Sequence, residues 1–383
     1  MKILLYGIGG ELENIESRIK NEHEIIGYTD SYAKIKEYLG KAFFEVDEIR
    51  NQTFDYLIIT VSNCKIAWDI QNRLVRDYGI PLEKIIPFWV YAKRELWKYK
   101  METYDLENIR GMIFGNSYAF YGFLEEGIEK PFINLSVTSQ DLFYSYQICN
   151  RCMAEYGTRL QNLEYIILDL YDYIFFNIDL SLGHYFFEYF YLGGLYEPHN
   201  FAENKNFSRN LKDELFDIYG IILGEGEKRR ILDKIFSNSN IQPIIRPNDV
   251  WNYIDKDAPL SPNWMIGSGI RKRFEKTIEE NMDIMIHFLE SIRKKNKDMK
   301  IIFTLIPKYI TMEKAAEPFM KEWKEEFHHV IAHLCSKYQA FFWSYKQCRE
   351  ISENPRFYLD TRHLNTVGAR AMTTILNKGL QEI

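Results

Sequence analysis

Three residues of this sequence can combine into a nucleophilic centre, although the chain sets them far apart. Ser117 follows the apolar run Met112-Ile113-Phe114 in the turn Gly115-Asn116-Ser117. Asp360 and His363 lie near the other end, in Asp360-Thr361-Arg362-His363. A serine hydroxyl is a weak nucleophile until a base takes its proton, and a histidine is the usual base. An aspartate three residues before that histidine, on a tight turn, can accept from Nδ1–H. It then fixes the tautomer and stabilises the imidazolium formed during attack. Each residue also has a plainer reading, since small residues often follow strands and Asp and His are ordinary turn residues. Their joint presence carries the chemical expectation.

The elements that must position them read as an α/β domain over residues 99–383. Apolar runs at Met112–Phe114, Phe132–Ser136, Tyr165–Leu168, Lys300–Pro307 and 340–343 predict strands. Continuous apolar character of this kind belongs to parallel strands buried on both faces. A serine at the carboxyl end of such a strand sits where α/β sheets place their ligands. A closing helix is expected from Thr366 to Leu380, with Asn365 as its cap. Residues 177–264 contain Gly193-Gly194, the polar run Asn200–Asn210, and Pro243, Pro247, Pro259 and Pro262. They read as an insertion, either a cover over the site or a plain surface elaboration.

Gly115-Asn116-Ser117 together with Asp360-x-x-His363-Leu364-Asn365-x-x-Gly368 resembles the SGNH (GDSL-like) hydrolases, above all their polysaccharide- and teichoic-acid-modifying members. The resemblance spans about residues 111–180 and 280–383. It implies a flavodoxin-like α/β/α domain and, with a small-molecule or glycan substrate, ester hydrolysis or O-acyl transfer on a carbohydrate or nucleotide-linked sugar. Ser117 is then the nucleophile, His363 the base and Asp360 its orienting partner. The oxyanion positions fall on the Ser117 N–H, on Ser139 in place of the family's Gly, and on Tyr171 in place of its Asn. Asn116 also stands where the family usually has Asp; with Ser139 and Tyr171 this leaves a second expectation open, a catalytically degenerate binding protein of glycan biosynthesis with a nucleotide-sugar site.

Residues 1–98 form a separate expectation. Lys2–Tyr6 ends in Gly7-Ile8-Gly9-Gly10, an amphipathic helical stretch follows, and Glu24–Tyr28 closes on Asp30. With the strand 55–61, this rhythm predicts a doubly wound parallel sheet. Glycines at the first turn allow close approach of a phosphate to backbone N–H groups, and an acid about twenty residues on can bond a ribose hydroxyl. A turn without a ligand has the same sequence. Ile8-Gly9-Gly10, Glu24–Gly27, Asp30, Gly40-Lys41-Ala42, Asp55-Tyr56 and Gly79-Ile80-Pro81 resemble the N-terminal Rossmann-like module of bacterial sugar acetyltransferases. That resemblance implies a nucleotide or nucleotide-linked sugar near Gly7, Gly9, Gly10 and Asp30. Nicotinamide chemistry would rest on the glycines and Asp30 alone.

Bulk properties narrow the classes. The 383 residues suit two domains, and 46% apolar with 27% charged residues is a globular balance. A formal charge of −6, from 48 basic and 54 acidic side chains, disfavours charge-driven nucleic-acid binding. The 27 Tyr and 26 Phe accompany abundant Ile, Lys and Asn, so compositional bias explains them as well as sugar platforms do. Five scattered cysteines make no disulfide framework, and Cys149-x-x-Cys152 lacks the second pair of a zinc site. His329 and His333 share a helical face without the Glu of an HExxH site, so no metal or required cofactor is expected. The opening residues lack a signal-peptide pattern and no long apolar span occurs, so the expectation is a cytoplasmic chain with no transmembrane segment.

Overall fold

The computed structural model describes residues 1–90, 96–178, 225–236 and 272–383. The chain divides into two compact units, one built on Met1–Tyr99 with the later helix Glu225–Ile235, and the other on the rest of the described chain from Lys100 onward. Each is a β-sheet flanked by helices, so the architecture is two-domain mixed α/β. Among the described residues no helix is long and apolar enough to cross a membrane.

The first unit carries a six-stranded sheet in the order β3-β4-β2-β1-β5-β6. The strands are β1 Lys2–Tyr6, β2 Glu24–Thr29, β3 Glu37–Tyr38, β4 Lys41–Phe44, β5 Tyr56–Ile59 and β6 Ile85–Pro87. Every pairing is parallel except that of β3 with β4. Burial enforces this. Ile3, Leu4 and Leu5 of β1 and Leu57, Ile58 and Ile59 of β5 are inaccessible to solvent, as central parallel strands require. Sequence periodicity does not mark β3, β4 and β6, because two to four residues are too few to show a period. The helix Glu225–Ile235, inside the expected insertion, belongs to this unit: His23 Nε2 lies 2.5 Å from the Ile235 carbonyl, and Phe88 stacks on Phe236 with centroids 4.8 Å apart. Residues 179–224, with His184 and His199, and 237–264 of that insertion lie outside the described residues.

The second unit carries five strands, all parallel, in the order β11-β10-β9-β7-β8. They are β7 Gly111–Phe114, β8 Phe132–Asn134, β9 Tyr165–Asp169, β10 Lys300–Leu305 and β11 Phe341–Ser344. Helices Leu142–Glu155, Glu275–Lys295, Ile310–Tyr338 and Thr366–Gln381 flank them. At Gly111 a side chain would overlap the Phe132 ring of the neighbouring strand, with its Cβ 2.0 Å from Cε1. Cys149 and Cys152 lie fully buried in the helix Leu142–Glu155, and burial pushes the Cys149 thiol up to about 12. They are therefore inert core thiols at neutral pH. His329 and His333 stand exposed on the long helix.

Because the strands are parallel, the segments after β7, β8 and β9 leave at one edge of the sheet. β7 lies between the other two, so Ser117, Ser139 and Tyr171 follow three neighbouring strands. Ile167, inaccessible to solvent, pairs with both Ile113 and Ile302 in the middle of this sheet. Ile167→Ala is expected to lower unfolding stability by about 2–5 kcal/mol, as core truncations do. Urea unfolding checks it, and an unchanged midpoint would contradict this account of the core.

Candidate active site

Ser117 is the first residue of the short helix Ser117–Gly122, and its presentation is set by the two residues before it. Gly115 has φ +156°, and a Cβ there would meet Asp169 Cβ at 2.9 Å and Ala119 Cβ at 3.0 Å. The strand thus turns sharply against its neighbour β9, which only glycine allows. Asn116 is buried and caps the helix, its Oδ1 accepting from the Tyr118 N–H at 2.9 Å. Asp at this position would provide the same cap, so Asn keeps the local fold.

The last helix brings His363 to this serine. Thr373 Oγ1 accepts from the Leu124 N–H at 2.9 Å, and Asn377 bonds both the Glu129 N–H and the Gly127 carbonyl. These bonds fasten Thr366–Gln381 to the chain just after Ser117. Asn365 caps that helix through the Gly368 N–H at 3.0 Å, while its Nδ2 holds the Arg356 carbonyl at 2.8 Å. Gly368 is required here, because a Cβ would come within 2.1 Å of the Phe357 carbonyl. The His363 loop is thereby held between two anchored points.

The result is a continuous chain of contacts. Ser117 Oγ lies 2.8 Å from His363 Nε2, and His363 Nδ1 lies 2.9 Å from Asp360 Oδ2. The other Asp360 oxygen accepts from the backbone N–H of Arg362 and of His363, at 2.7 and 2.9 Å. Burial alone would raise the Asp360 carboxyl. The hydrogen bond and charge of His363, with the two backbone donors, outweigh it and hold the group at about 2. Tyr118 and Tyr121 pack against the imidazole, centroids 5.2 and 5.4 Å away. With Nδ1 protonated, Nε2 is an acceptor facing the serine hydroxyl, which is the arrangement general-base activation requires.

The other expected residues are placed as follows. Neither the Ser117 nor the Ser139 N–H meets an acceptor among the described residues. Ser139 has φ +60° and Tyr171 φ +43°. The Tyr171 N–H turns back to Asp169 Oδ2 at 3.3 Å, and its ring stacks on Tyr118. In the first unit, the Gly7 N–H donates to the Thr29 carbonyl, and a Cβ on Gly9 or Gly10 would meet nothing within 4 Å. Asp30 accepts from the Ile8 and Tyr32 N–H groups at 3.3 and 2.9 Å, so its carboxylate organises the glycine turn. Among the described residues no cluster of three His, Cys, Asp or Glu side chains could hold a metal ion.

Sequence reasoning overlooked a buried charge array beside the centre. Asp172 forms ion pairs with Lys308 and with Lys346, the latter at 3.2 Å, and Lys346 also reaches Glu313 at 3.0 Å. The ammonium of Lys308 lies 5.6 Å from the centroid of Tyr118. Burial, and then the charge of Lys346, push Lys308 well below its ordinary range. Asp169 is buried nearby and bonded by Thr304 Oγ1 at 3.0 Å; burial raises its carboxyl to about 7. The only clue in the sequence was a lysine directly after Pro307, where a strand ends.

Residues 1–86 match the family described as C2185-like, N-terminal. No curated protein matches the chain. A similar solved structure, from Streptococcus pneumonia and described provisionally as a platelet activating factor, is 11% identical. The similarity covers 83% of this chain and 100% of that one, with a TM-score of 0.36.

The lowered Asp360 carboxyl gives a pH test. Its native value lies below the ordinary 3.8, so its contribution to stability is complete above about pH 4–5 and is lost as pH falls toward 2. The stability difference between the wild type and Asp360→Asn should shrink across that window, as read by urea midpoints at several pH values. A difference independent of pH would contradict the assignment.

Proposed function

We propose that the second unit is an SGNH-type ester hydrolase or O-acyltransferase acting on a carbohydrate or nucleotide-linked sugar. The observation that carries this reading is the unbroken contact from Ser117 Oγ through the His363 imidazole to Asp360. In this reading Ser117 attacks the acyl carbonyl while His363 Nε2 takes the hydroxyl proton. Asp360 holds the imidazole in the required tautomer and stabilises the resulting cation. The N–H groups of Ser117 and Ser139 stabilise the oxyanion of the tetrahedral intermediate. As that intermediate collapses, His363 returns the proton to the departing alcohol, leaving an acyl-serine. Water or a sugar hydroxyl then takes the acyl group by the reverse sequence.

The strand order of the second sheet and the turn at Gly115 support a flavodoxin-like α/β/α reading of this unit. The β1 glycine turn supports a Rossmann-like reading of the first, with a nucleotide or nucleotide-sugar site beside Gly7, Gly9 and Gly10. There Asp30 shapes the loop through two backbone bonds. One observation favours a binding protein without turnover: Tyr171 stands where the resembled family has a donating Asn side chain, and its ring lies stacked on Tyr118. Loss of one such donor lowers rates by about 10²–10³-fold.

Two experiments separate these readings. Ser117→Ala should abolish both hydrolysis of a small acetyl ester and labelling by a fluorophosphonate; retention of either would rule out Ser117 as nucleophile. Calorimetry with nucleotide sugars should give saturable heat in the wild type and none after Gly9→Trp, which fills the open turn. Heat from nucleotide sugars without any ester turnover would select the binding-only reading.

A further inference from the structure

A pocket of about 750 Å³ in the second unit is bounded by Asp172 and Tyr173 on one side and by the long helix on another. Ser117 and His363 do not line it. It is nonetheless joined to them, because Asp172 pairs with Lys308, Lys308 lies under Tyr118, and Tyr118 packs on His363. Its volume is in the range of small-molecule sites, about 300–1,000 Å³.

The charges around this pocket are unequal in how they are satisfied. Asp172 and Glu313 are already engaged by Lys346, which is buried at the floor. Arg349 faces Glu353 at 3.9 Å. Lys314, Lys321 and Lys324 line the pocket from one face of the long helix, and none forms an ion pair among the described residues. Among the described lining residues Glu317 is the single acid without an ion pair. Lys324 and Lys346 both approach the Tyr173 ring, at 5.7 and 4.8 Å from its centroid. Three exposed ammonium groups on one wall, set against the single acid Glu317, leave an excess of positive charge that favours an anionic occupant. Ile310, Ala316 and Met320 add apolar surface for its carbon skeleton.

We propose that this pocket is a subsite for the anionic group, phosphate or carboxylate, of a sugar-based ligand. The occupant's role as substrate rests on the esterase reading above; the binding itself does not. The probes are glucose 6-phosphate and glucuronate, with glucose as the neutral control, titrated calorimetrically into Ser117→Ala protein so that no turnover intervenes. At least one anionic sugar should bind saturably below roughly 10 mM, glucose should not, and the affinity should fall as KCl is raised. Which of the two binds tells phosphate from carboxylate. Lys314→Ala/Lys321→Ala/Lys324→Ala should weaken that binding by about tenfold or more. These are exposed helix positions where alanine is well tolerated, and an unchanged melting temperature checks the fold. Absence of saturable binding by both anionic sugars, equal binding of glucose, or indifference to the triple substitution would each overturn the proposal. Failure of ester turnover in the wild type would strike the catalytic reading alone.

Discussion

The docking of the last helix onto the segment that follows Ser117 is the constraint on which the candidate centre depends. Nothing local to Ser117 supplies a base. The Thr373 and Asn377 side chains bond backbone groups between Leu124 and Glu129, and those bonds fix where the preceding loop must lie. Because Asn365 ties the start of the same helix to the Arg356 carbonyl, the loop between them has little freedom. His363 is then delivered to Ser117 across 246 residues of chain. Asp360 has two tasks in that loop, organising its turn through two N–H bonds and orienting the imidazole. The same carboxylate therefore links local stability to the state of the base.

A second constraint acts from below. The sheet holds β7 between β8 and β9, and Gly115 passes so close to Asp169 that no side chain fits. Asp169 is held by Thr304 and by the Tyr171 N–H. The turn that presents Ser117 thus rests on a buried carboxyl, itself bonded to the next loop. Asp172, Lys308 and Lys346 continue this arrangement outward. Removing one member of such an array leaves an uncompensated buried charge, which costs more than the pair itself contributes. A fixed loop geometry follows from that penalty.

What the sequence disclosed divides along the same line. Long apolar runs such as Tyr165–Asp169 and Lys300–Leu305 were legible because burial on both faces leaves a continuous signature. The cap at Asn365 and the relation of Asp360 to His363 were legible because both interactions are local in sequence. The pairing of Ser117 with His363 could be expected only by joining two distant motifs. The short strands β3, β4 and β6 escaped because they carry no period. Lys308, Lys346 and Glu313 escaped for another reason: a buried ion pair between residues more than thirty positions apart leaves no pattern in either neighbourhood.

The glycine turn of the first unit shows why residue type alone decides little. Asp30 stands where an acid can meet a ribose, yet both its oxygens accept backbone N–H groups of its own loops. A carboxylate has further lone pairs, so these bonds do not prevent a ligand contact. They do mean that Asp30 would be retained even in a turn that binds nothing. Gly9 and Gly10 face open space, as the turn glycines Gly40 and Gly79 also do, so that openness permits close approach of a ligand without requiring one. A bulky residue at Gly9 therefore separates a binding turn from an empty one, where a change at Asp30 would confound binding with loop stability.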